Sequence, residues 1–143
     1  MKIHPVAFGT PEYDELIRLR YRVLKEPLGL DFSEEDLSKE FEDTHVALYD
    51  DAYQLLACLV LSPETGGQVR MRQVAVLPEK QNSGFGRELV GYSEDWSRRA
   101  GFKEMVLHAR EQAIPFYEKL GYKKAGKKFT EVGLDHWQMK KSL

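Results

Sequence analysis

The sequence predicts a mixed α/β fold, in which helices pack on a sheet that contains both parallel and antiparallel strands. Between residues 68 and 121 the pattern runs strand, turn, helix, strand, helix, and a strand–helix–strand crossover favours a parallel pair. Elsewhere apolar segments are joined by short turns such as Asp50-Asp51, which favour antiparallel pairs. No repeat, low-complexity tract or linker interrupts the sequence, so residues 1–143 are expected to form a single domain.

The first third of the chain carries alternating strand and helix signals. Lys2–Phe8 reads as a short strand. A helix is predicted over about Pro11–Lys25, because Thr10 can cap its first turn, proline is tolerated there and apolar residues follow at helical spacing. The segment Ser33–Glu40 opens with acidic residues that favour a second, short helix. The next strand candidate is His45–Tyr49.

Two strands with different patterns follow. Tyr53–Leu61 is rich in apolar residues and predicts a central strand. In Gln68–Leu77 apolar and charged residues alternate up to Met71, but the next bulky apolar residue is Val74, three positions on. A β-bulge near Arg72-Gln73 would explain this change of phase. Alternatively, the end of the strand is buried on both faces and needs no bulge, and the pattern alone favours neither interpretation.

The remaining elements are separated by turn residues. Pro78 ends the preceding strand, and the polar turn Gln81–Gly86 leads into a helix with apolar residues at helical spacing. Pro115 lies where the first turn of another helix tolerates proline. The predicted elements are a helix from about Gly84 to Ala100, a strand at Met105–Leu107, a helix over Pro115–Gly121 and two β segments within Tyr122–Lys140 around Gly133.

Composition excludes some classes of function. With 21 basic and 23 acidic residues the net charge is −2, which argues against nucleic acid as the main partner. A local basic patch at Arg18, Arg20 and Arg22 stays open, although at least two of them are expected to face solvent. Cys58 is the single cysteine and lies in an apolar run, so we expect a buried thiol, no internal disulfide and a cytoplasmic protein. No signal peptide or membrane-spanning stretch is recognised, so no membrane partner is expected.

The segment Gln81–Arg87 carries the strongest chemical signal. It follows a strand and opens a helix, whose first backbone N–H groups lack internal partners and lie at the positive end of the helix dipole. Gly84 and Gly86 have no side chain to block a phosphate from these donors, and Ser83 can add a hydroxyl. The spacing is neither the dinucleotide fingerprint nor the P-loop. Chemistry alone therefore allows a phosphate site or an ordinary glycine turn.

Two blocks of sequence resemble the GNAT superfamily of acetyltransferases. Gln73–Arg87 is similar to the family's strand and turn signature, with Gln81, Gly84 and Gly86 at its three fixed positions. His108–Tyr122 resembles its second core motif, which contains Phe-Tyr and Leu-Gly-Tyr. The phrases at residues 107–110 and 131–139 look like a small bacterial subgroup near the ElaA-like acetyltransferases.

The resemblance implies a mostly antiparallel sheet of six to seven strands, whose parallel central pair is splayed at a bulge and flanked by about four helices. It implies acetyl-CoA as cosubstrate, with its diphosphate on the turn and its pantetheine arm hydrogen-bonded along the bulged strand, and no metal. The implied cofactor-binding residues are Val74, Ala75, Val76, Gln81, Asn82, Ser83, Gly84, Phe85, Gly86, Arg87, Ala113 and Phe116.

The resemblance also implies direct attack of a primary amine on the thioester in a ternary complex. Tyr117 matches the position of the general acid, and a helix N-terminus would lower the pKa of a phenol there. The base is left open: Glu111, His108 and His136 are candidates, and Glu40 is a weaker one.

Several features of the acceptor site are left open. Many family members carry Asn where this chain has Arg110, which could contact the cofactor or the substrate. The acceptor could be a small-molecule or a protein amine, and a homodimer is possible. The competing interpretation is a non-catalytic acyl-CoA-binding sensor or interaction domain, and the presence of a tyrosine at position 117 favours the enzyme.

Overall fold

The computed structural model describes the backbone of residues 1–143 and the side chains of all of them except residues 34 and 35. The strands are β1 (Lys2–Val6), β2 (Thr44–Tyr49), β3 (Leu55–Pro63), β4 (Gln68–Val76), β5 (Glu104–Arg110), β6 (Lys123–Glu131) and β7 (Leu134–Ser142). The α-helices are α1 (Pro11–Arg20), α2 (Glu34–Ser38), α3 (Phe85–Arg99) and α4 (Ile114–Lys119). All seven strands lie in one sheet, in the order β1-β2-β3-β4-β5-β7-β6.

The sheet has the mixed topology that the sequence predicts. The neighbours β4 and β5 run parallel, and the other five neighbouring pairs run antiparallel. The parallel pair is joined through α3, as a crossover connection requires. The predicted fold class, strand number and helix number are confirmed.

A β-bulge interrupts β4 at the predicted place. Cys58 of β3 lies opposite Ala75, whereas Val60 lies opposite Arg72, so the single residue between them in β3 faces two in β4. One of those two, Gln73, has a φ of 53°, a left-handed value that few non-glycine residues adopt. The alternative, a strand end buried on both faces, is wrong, since Val74 is only partly buried.

Beyond the bulge the parallel strands part. Pairing between β4 and β5 runs from Gln68 opposite Glu104 to Met71 opposite Leu107 and then stops. Both strands continue, β4 to Val76 and β5 to Arg110. A cleft therefore opens between them at the carboxyl end of the sheet, where helices α3 and α4 begin.

The core is centred on β3. All residues from Leu56 to Leu61 are at most 2% exposed, and both α1 and α3 pack against this strand. Cys58 lies among them as a buried thiol that contacts the backbone carbonyl of Leu16, as its apolar context predicts. The buried strand fixes the positions of its neighbour β4 and of the cleft.

Local interactions explain where the element bounds agree with the predictions. The hydroxyl of Thr10 accepts a hydrogen bond from the backbone N–H of Tyr13 and caps α1, which continues as a π-helical turn over Tyr21–Lys25. The side chain of Ser33 caps α2 in the same way. The predicted helix over Pro11–Lys25 is thus confirmed in extent.

The bounds of three strands differ from the predictions. β1 ends at Val6 instead of residue 8. β3 begins at Leu55, because the Asp50 carboxylate accepts hydrogen bonds from two backbone N–H groups of the preceding turn and Tyr53 there adopts a φ of 60°. β5 is longer than Met105–Leu107 because its polar end pairs with β7.

A buried ion pair ties α1 to the segment that follows α2. Arg20 is 1% exposed and donates two hydrogen bonds to Glu40, at 2.8 and 2.7 Å, and the hydroxyl of Tyr13 donates a third at 2.8 Å. Arg18 and Arg22 are not buried, so the prediction that at least two of these arginines face solvent is confirmed. Arg20 belongs to the core and not to a basic patch.

Candidate active site

A cleft of about 630 Å³ lies where β4 and β5 part. One wall is formed by the π-helical turn after α1, and the other by the hairpin that joins β6 to β7. The residues of the parted strands that line it include Arg70 to Val74 and Leu107 to Arg110. Gln81, Ala113 and Tyr117 close the end nearer to α3 and α4. The cleft thus joins the glycine-containing turn to the polar end of the sheet in one open space.

The start of α3 presents backbone donors that no side chain caps. Gly84 is the N-cap residue, its φ is 87°, and it makes no side-chain capping hydrogen bond. The first intrahelical bond runs from the N–H of Glu88 to the carbonyl of Gly84, at 3.1 Å. The N–H groups of the first turn therefore remain available to an anion. A Cβ at Gly84 would meet nothing within 4 Å, so the approach is open.

The second glycine of the turn has a different role. A Cβ at Gly86 would lie 3.4 Å from Cζ of Phe116 and 3.7 Å from Cγ2 of Val76. These are ordinary van der Waals distances, so Gly86 lies close to α4 and the end of β4, but space alone does not require glycine there. Phe116 is 38% exposed and does not line the cleft, so its contact with Gly86 is its clearest role.

The edge of β4 beyond the bulge carries backbone groups that β5 does not pair. The N–H of Leu77 donates to the carbonyl of Leu56 in β3, at 2.8 Å. Because successive residues of a strand direct their backbone groups to opposite edges, those of Val74 and Val76 point toward the cleft. The side chain of Ala75 is buried in the core. The Nε2 of Gln81 donates to the carbonyl of Val76, at 3.1 Å.

The other predicted cofactor residues lie around the turn. Asn82, Ser83 and Arg87 are exposed, and Asn82 has a φ of 62°. Phe85 is partly buried and packs against the core, and Ala113 lines the cleft. Of the predicted cofactor residues, Val74, Gln81 and Ala113 line the cleft, and residues 82–87 follow Gln81 into the first turn of α3.

Tyr117 lies in α4 and lines the cleft, but it is not the acidified phenol that its helix suggests. It is 8% exposed, and its ring packs edge-on against Phe116 and Tyr122. Its hydroxyl makes no hydrogen bond within the described part of the chain. Burial raises its pKa to about 12, so the expected lowering is wrong. The helix has six residues and Tyr117 lies past its first turn, where a dipole has little effect.

Four polar side chains meet at the opposite end of the cleft. Nη2 of Arg70 lies 2.6 Å from Nδ1 of His108. A carboxylate oxygen of Glu131 lies 3.6 Å from that same Nδ1, and the other lies 3.6 Å from Nε2 of His136. The ring of Phe129 contacts both histidines.

The hydrogen bonds of the two histidines set different tautomers. A guanidinium can only donate, so Nδ1 of His108 accepts from Arg70 and the ring proton is on Nε2. Nδ1 of His136 lies 2.9 Å from the carbonyl of Leu134 and must donate, which leaves the lone pair on Nε2. Burial, together with the charge of Arg70, lowers the pKa of His108. His136 is therefore the histidine with a free proton-accepting nitrogen.

The other candidate bases are not in the cleft. Glu111 is exposed and does not line it. Burial alone would raise the pKa of Glu40, but its bonds with Arg20 and Tyr13 lower it below its usual range, so Glu40 acts as a structural anion. Arg110 lines the cleft, and among the described residues it has no hydrogen-bond or ion-pair partner.

Sequence reasoning missed Arg70 and Glu131 as site residues. Arg70 appeared only as one of the charged residues that alternate in β4, and Glu131 only within a tail motif. The sequence showed these two residues only as charges within strands. They form a site with His108 and His136 because β5 and β7 pair in the folded sheet.

Comparison with known proteins identifies relatives whose sequences are similar over most of this chain. A profile of the acetyltransferase (GNAT) family matches residues 10–122. The chain is 32% identical over 101 residues to a UPF0039 protein of Schizosaccharomyces pombe, a match that spans 69% of this chain and 67% of that protein. It is 29% identical over 144 residues to a Bacillus subtilis protein named as the uncharacterized N-acetyltransferase YjcF, over 95% of this chain and 96% of that one.

A solved structure shares the fold. The crystal structure of an aminoglycoside 6′-N-acetyltransferase complexed with coenzyme A has a TM-score of 0.81 with this chain, at 20% identity, over 99% of this chain and 97% of that one. Among the described residues no helix is both long and apolar enough to span a membrane. The family profile covers most of the chain and the parted, bulged central strands lie inside the matched region, so this chain belongs to the GNAT family of acetyltransferases.

Proposed function

We propose that this protein transfers an acetyl group from acetyl-CoA to a primary amine, and that both substrates meet in the cleft between β4 and β5. The diphosphate of the cofactor binds the uncapped first turn of α3, where Gly84 leaves the backbone donors accessible. Ser83 and Arg87 lie beside this turn and can add a hydroxyl donor and a charge.

The observation that carries the proposal is the open edge of β4. Val74 and Val76 direct backbone groups to the edge that β5 has left, and an extended amide-containing chain can bond to such an edge like an added strand. The pantetheine arm of coenzyme A is a chain of this kind. Its thioester then lies at the bulge, between the turn and the polar end of the cleft.

Tyr117 stabilises the leaving thiolate. Because its pKa is raised to about 12, the phenol stays protonated at neutral pH and can donate a hydrogen bond to sulfur. A thiol has a pKa near 8.5, so complete proton transfer from the phenol to the thiolate would be uphill by about 3.5 units, or roughly 5 kcal/mol. The main role of the hydroxyl is therefore to donate a hydrogen bond to the negative charge that develops on sulfur. The proton that sulfur finally takes up comes from solvent, either directly or relayed by the phenol.

Glu131 and His136 prepare the amine. The ammonium group of the acceptor binds the Glu131 carboxylate and loses one proton to Nε2 of His136, which lies 3.6 Å from that carboxylate. The neutral nitrogen attacks the thioester carbonyl, and collapse of the tetrahedral intermediate breaks the carbon–sulfur bond while the nitrogen releases its second proton and the thiolate takes up one. The products are the N-acetyl amine and coenzyme A.

Thiol release tests the proposal. Purified protein is mixed with acetyl-CoA and a panel of primary amines, and free thiol is followed with a chromogenic disulfide. We expect amine-dependent thiol release, and we expect mass spectrometry to detect the acetylated amine. If acetyl-CoA raises the melting temperature but no amine is acetylated, the non-catalytic acyl-CoA-binding module is the better interpretation.

A pair of variants at one glycine tests the cofactor site. Gly84→Glu places a carboxylate where the diphosphate binds, whereas Gly84→Ala adds only a methyl group that meets nothing within 4 Å. Both suffer the same left-handed strain, about 1–2 kcal/mol. We expect Gly84→Ala to keep its thermal response to coenzyme A and Gly84→Glu to lose it. Equal responses would place the diphosphate elsewhere.

A further inference from the structure

Arg70 carries a charge that forms no ion pair with any carboxylate of the described side chains. The residue is partly buried in β4, and its Nε is buried without a hydrogen-bond partner. Its one hydrogen bond goes to the imidazole of His108, which is neutral when it accepts at Nδ1. Within the described part of the chain no carboxylate oxygen lies within 4.0 Å of it. Desolvated charges in folded proteins are normally paired, so an anion is missing here.

Two other arginines of this chain have carboxylate partners within the protein. Arg20 is bonded twice to Glu40, and Arg72, two positions after Arg70, lies 3.5 Å from Asp43. Arg70 has neither kind of partner. Glu131 is the one acid among the described residues that line the cleft, and its carboxylate oxygens lie 3.6 Å from the two histidines.

The cofactor cannot supply the missing anion in the proposed pose. Arg70 and Val76 are six positions apart in β4, about 20 Å of extended strand. The diphosphate site lies beyond Val76, at the start of α3. Arg70 is therefore at the acceptor end of the cleft, where Arg110 also lies without a partner among the described side chains.

We propose that the acceptor is an amine that also carries an oxyanion, a carboxylate or a phosphate, and that this oxyanion binds Arg70. The inference rests on the proposed acetyl transfer and specifies its substrate class. The planar guanidinium matches both kinds of oxyanion. The amino group of the same molecule faces Glu131, so the two ends of the acceptor meet opposite charges. Gln73 also lines the cleft, and its Oε1 is a buried acceptor without a partner that an amine N–H can satisfy.

Matched pairs of amines test this directly. The pairs are 4-aminobutyrate with butylamine and O-phosphoethanolamine with ethanolamine, and spermine serves as a polycation. We expect kcat/KM to favour the oxyanion-bearing member of at least one pair by about 10- to 100-fold, the size of one charge-assisted hydrogen-bonded contact. The pair that shows the preference distinguishes carboxylate from phosphate. Equal or better use of the partners that lack the oxyanion and of spermine would overturn the inference and leave acetyl transfer intact.

Variants of Arg70 locate the preference. Arg70→Gln should remove it by raising the KM of the acceptor while the KM of acetyl-CoA stays unchanged, and Arg70→Lys should keep part of it. Arg98→Gln is the matched control, because Arg98 lies on α3, away from the cleft, and its ion pair is with Asp95. A rise in the KM of acetyl-CoA for Arg70→Gln would assign the missing anion to the cofactor and overturn the inference.

Direct anion binding gives a readout that does not need turnover. Calorimetric titration with glutarate and with inorganic phosphate should detect binding to the native protein and to Arg98→Gln, and loss of binding in Arg70→Gln. Binding that survives in Arg70→Gln, or no binding of either anion to the native protein, would refute the anion site. Absence of any thermal response to coenzyme A would instead refute the proposed function.

Discussion

Replacing Tyr117 by phenylalanine removes one oxygen atom from the cleft and leaves the packing of the ring in place. The hydroxyl makes no hydrogen bond within the described part of the chain, so its loss leaves no buried partner unsatisfied. We therefore expect the free energy of unfolding to change by less than about 0.5 kcal/mol. The ring of phenylalanine retains the edge-on contacts with Phe116 and Tyr122.

The expected loss is in the chemical step. A hydrogen bond to a charged acceptor is worth about 1.5–3 kcal/mol, which corresponds to a fall in kcat of about 10- to 150-fold. Since this bond forms only as the thiolate develops, kcat and kcat/KM should fall together and the KM of acetyl-CoA should stay constant. With a pKa raised to about 12, the Tyr117 phenol does not titrate between about pH 6 and pH 10. The pH profiles of the native and variant enzymes should therefore have the same shape.

The measurement is steady-state thiol release over that pH range, with urea unfolding of the same preparations. Tyr122→Phe is the control, because the Tyr122 hydroxyl donates to the buried Glu94 at 2.8 Å. This variant should lose about 1.5–3 kcal/mol of stability and keep its kcat, the reverse of Tyr117→Phe. A loss of less than threefold in Tyr117→Phe, or an alkaline limb that only the native enzyme shows, would refute the hydrogen-bond role.

Three further predictions concern proton acceptance, acid stability and helix propensity. His136→Asn keeps a donor for the carbonyl of Leu134 but removes the accepting nitrogen, so kcat/KM should fall by about 10²- to 10⁴-fold in the thiol assay; a change within threefold would exclude His136 as the base. The pKa of Glu40 is lowered in the folded state, so its stabilisation is complete above the unfolded pKa near 4.5 and is lost as the pH falls through the lowered value. Urea unfolding should accordingly show that native protein and Glu40→Gln differ by about 3–5 kcal/mol at pH 7 and that the difference shrinks as the pH falls through the lowered pKa of Glu40; a pH-independent difference would contradict this. Gly91 lies inside α3, and a Cβ added there would meet nothing within 4 Å, so Gly91→Ala should gain up to about 1 kcal/mol and about 2–4 °C in Tm; a lower Tm would show that the space is needed.

Much of the fold follows from local sequence pattern. The step of three residues from Met71 to Val74 allowed a bulge, which the resemblance to the family then favoured, and the structure places Gln73 there with a positive φ. The glycine turn after Pro78 marked the start of α3. These features depend on the backbone preferences of a few adjacent residues, which is why a sequence can report them.

The electrostatics of the site could not be predicted in this way. The lowered pKa expected for Tyr117 from helix position is wrong, because burial in the assembled core has the larger effect. Glu40 was a possible base until folding brought it against Arg20, which lies 20 residues earlier in the chain. Likewise, the tautomers of His108 and His136 depend on hydrogen bonds from other parts of the sheet.

The side chain of Gln81 closes part of the exposed strand edge in the absence of cofactor. Its amide occupies the carbonyl of Val76, one of the groups through which a second polypeptide could extend the sheet. Arrival of the pantetheine arm would exchange this internal bond for an external one at little net gain in energy. The Gln81 amide therefore reduces pairing of this strand edge with another chain. A variant that lacks the amide should aggregate more readily than the native protein, most of all at low coenzyme A concentration.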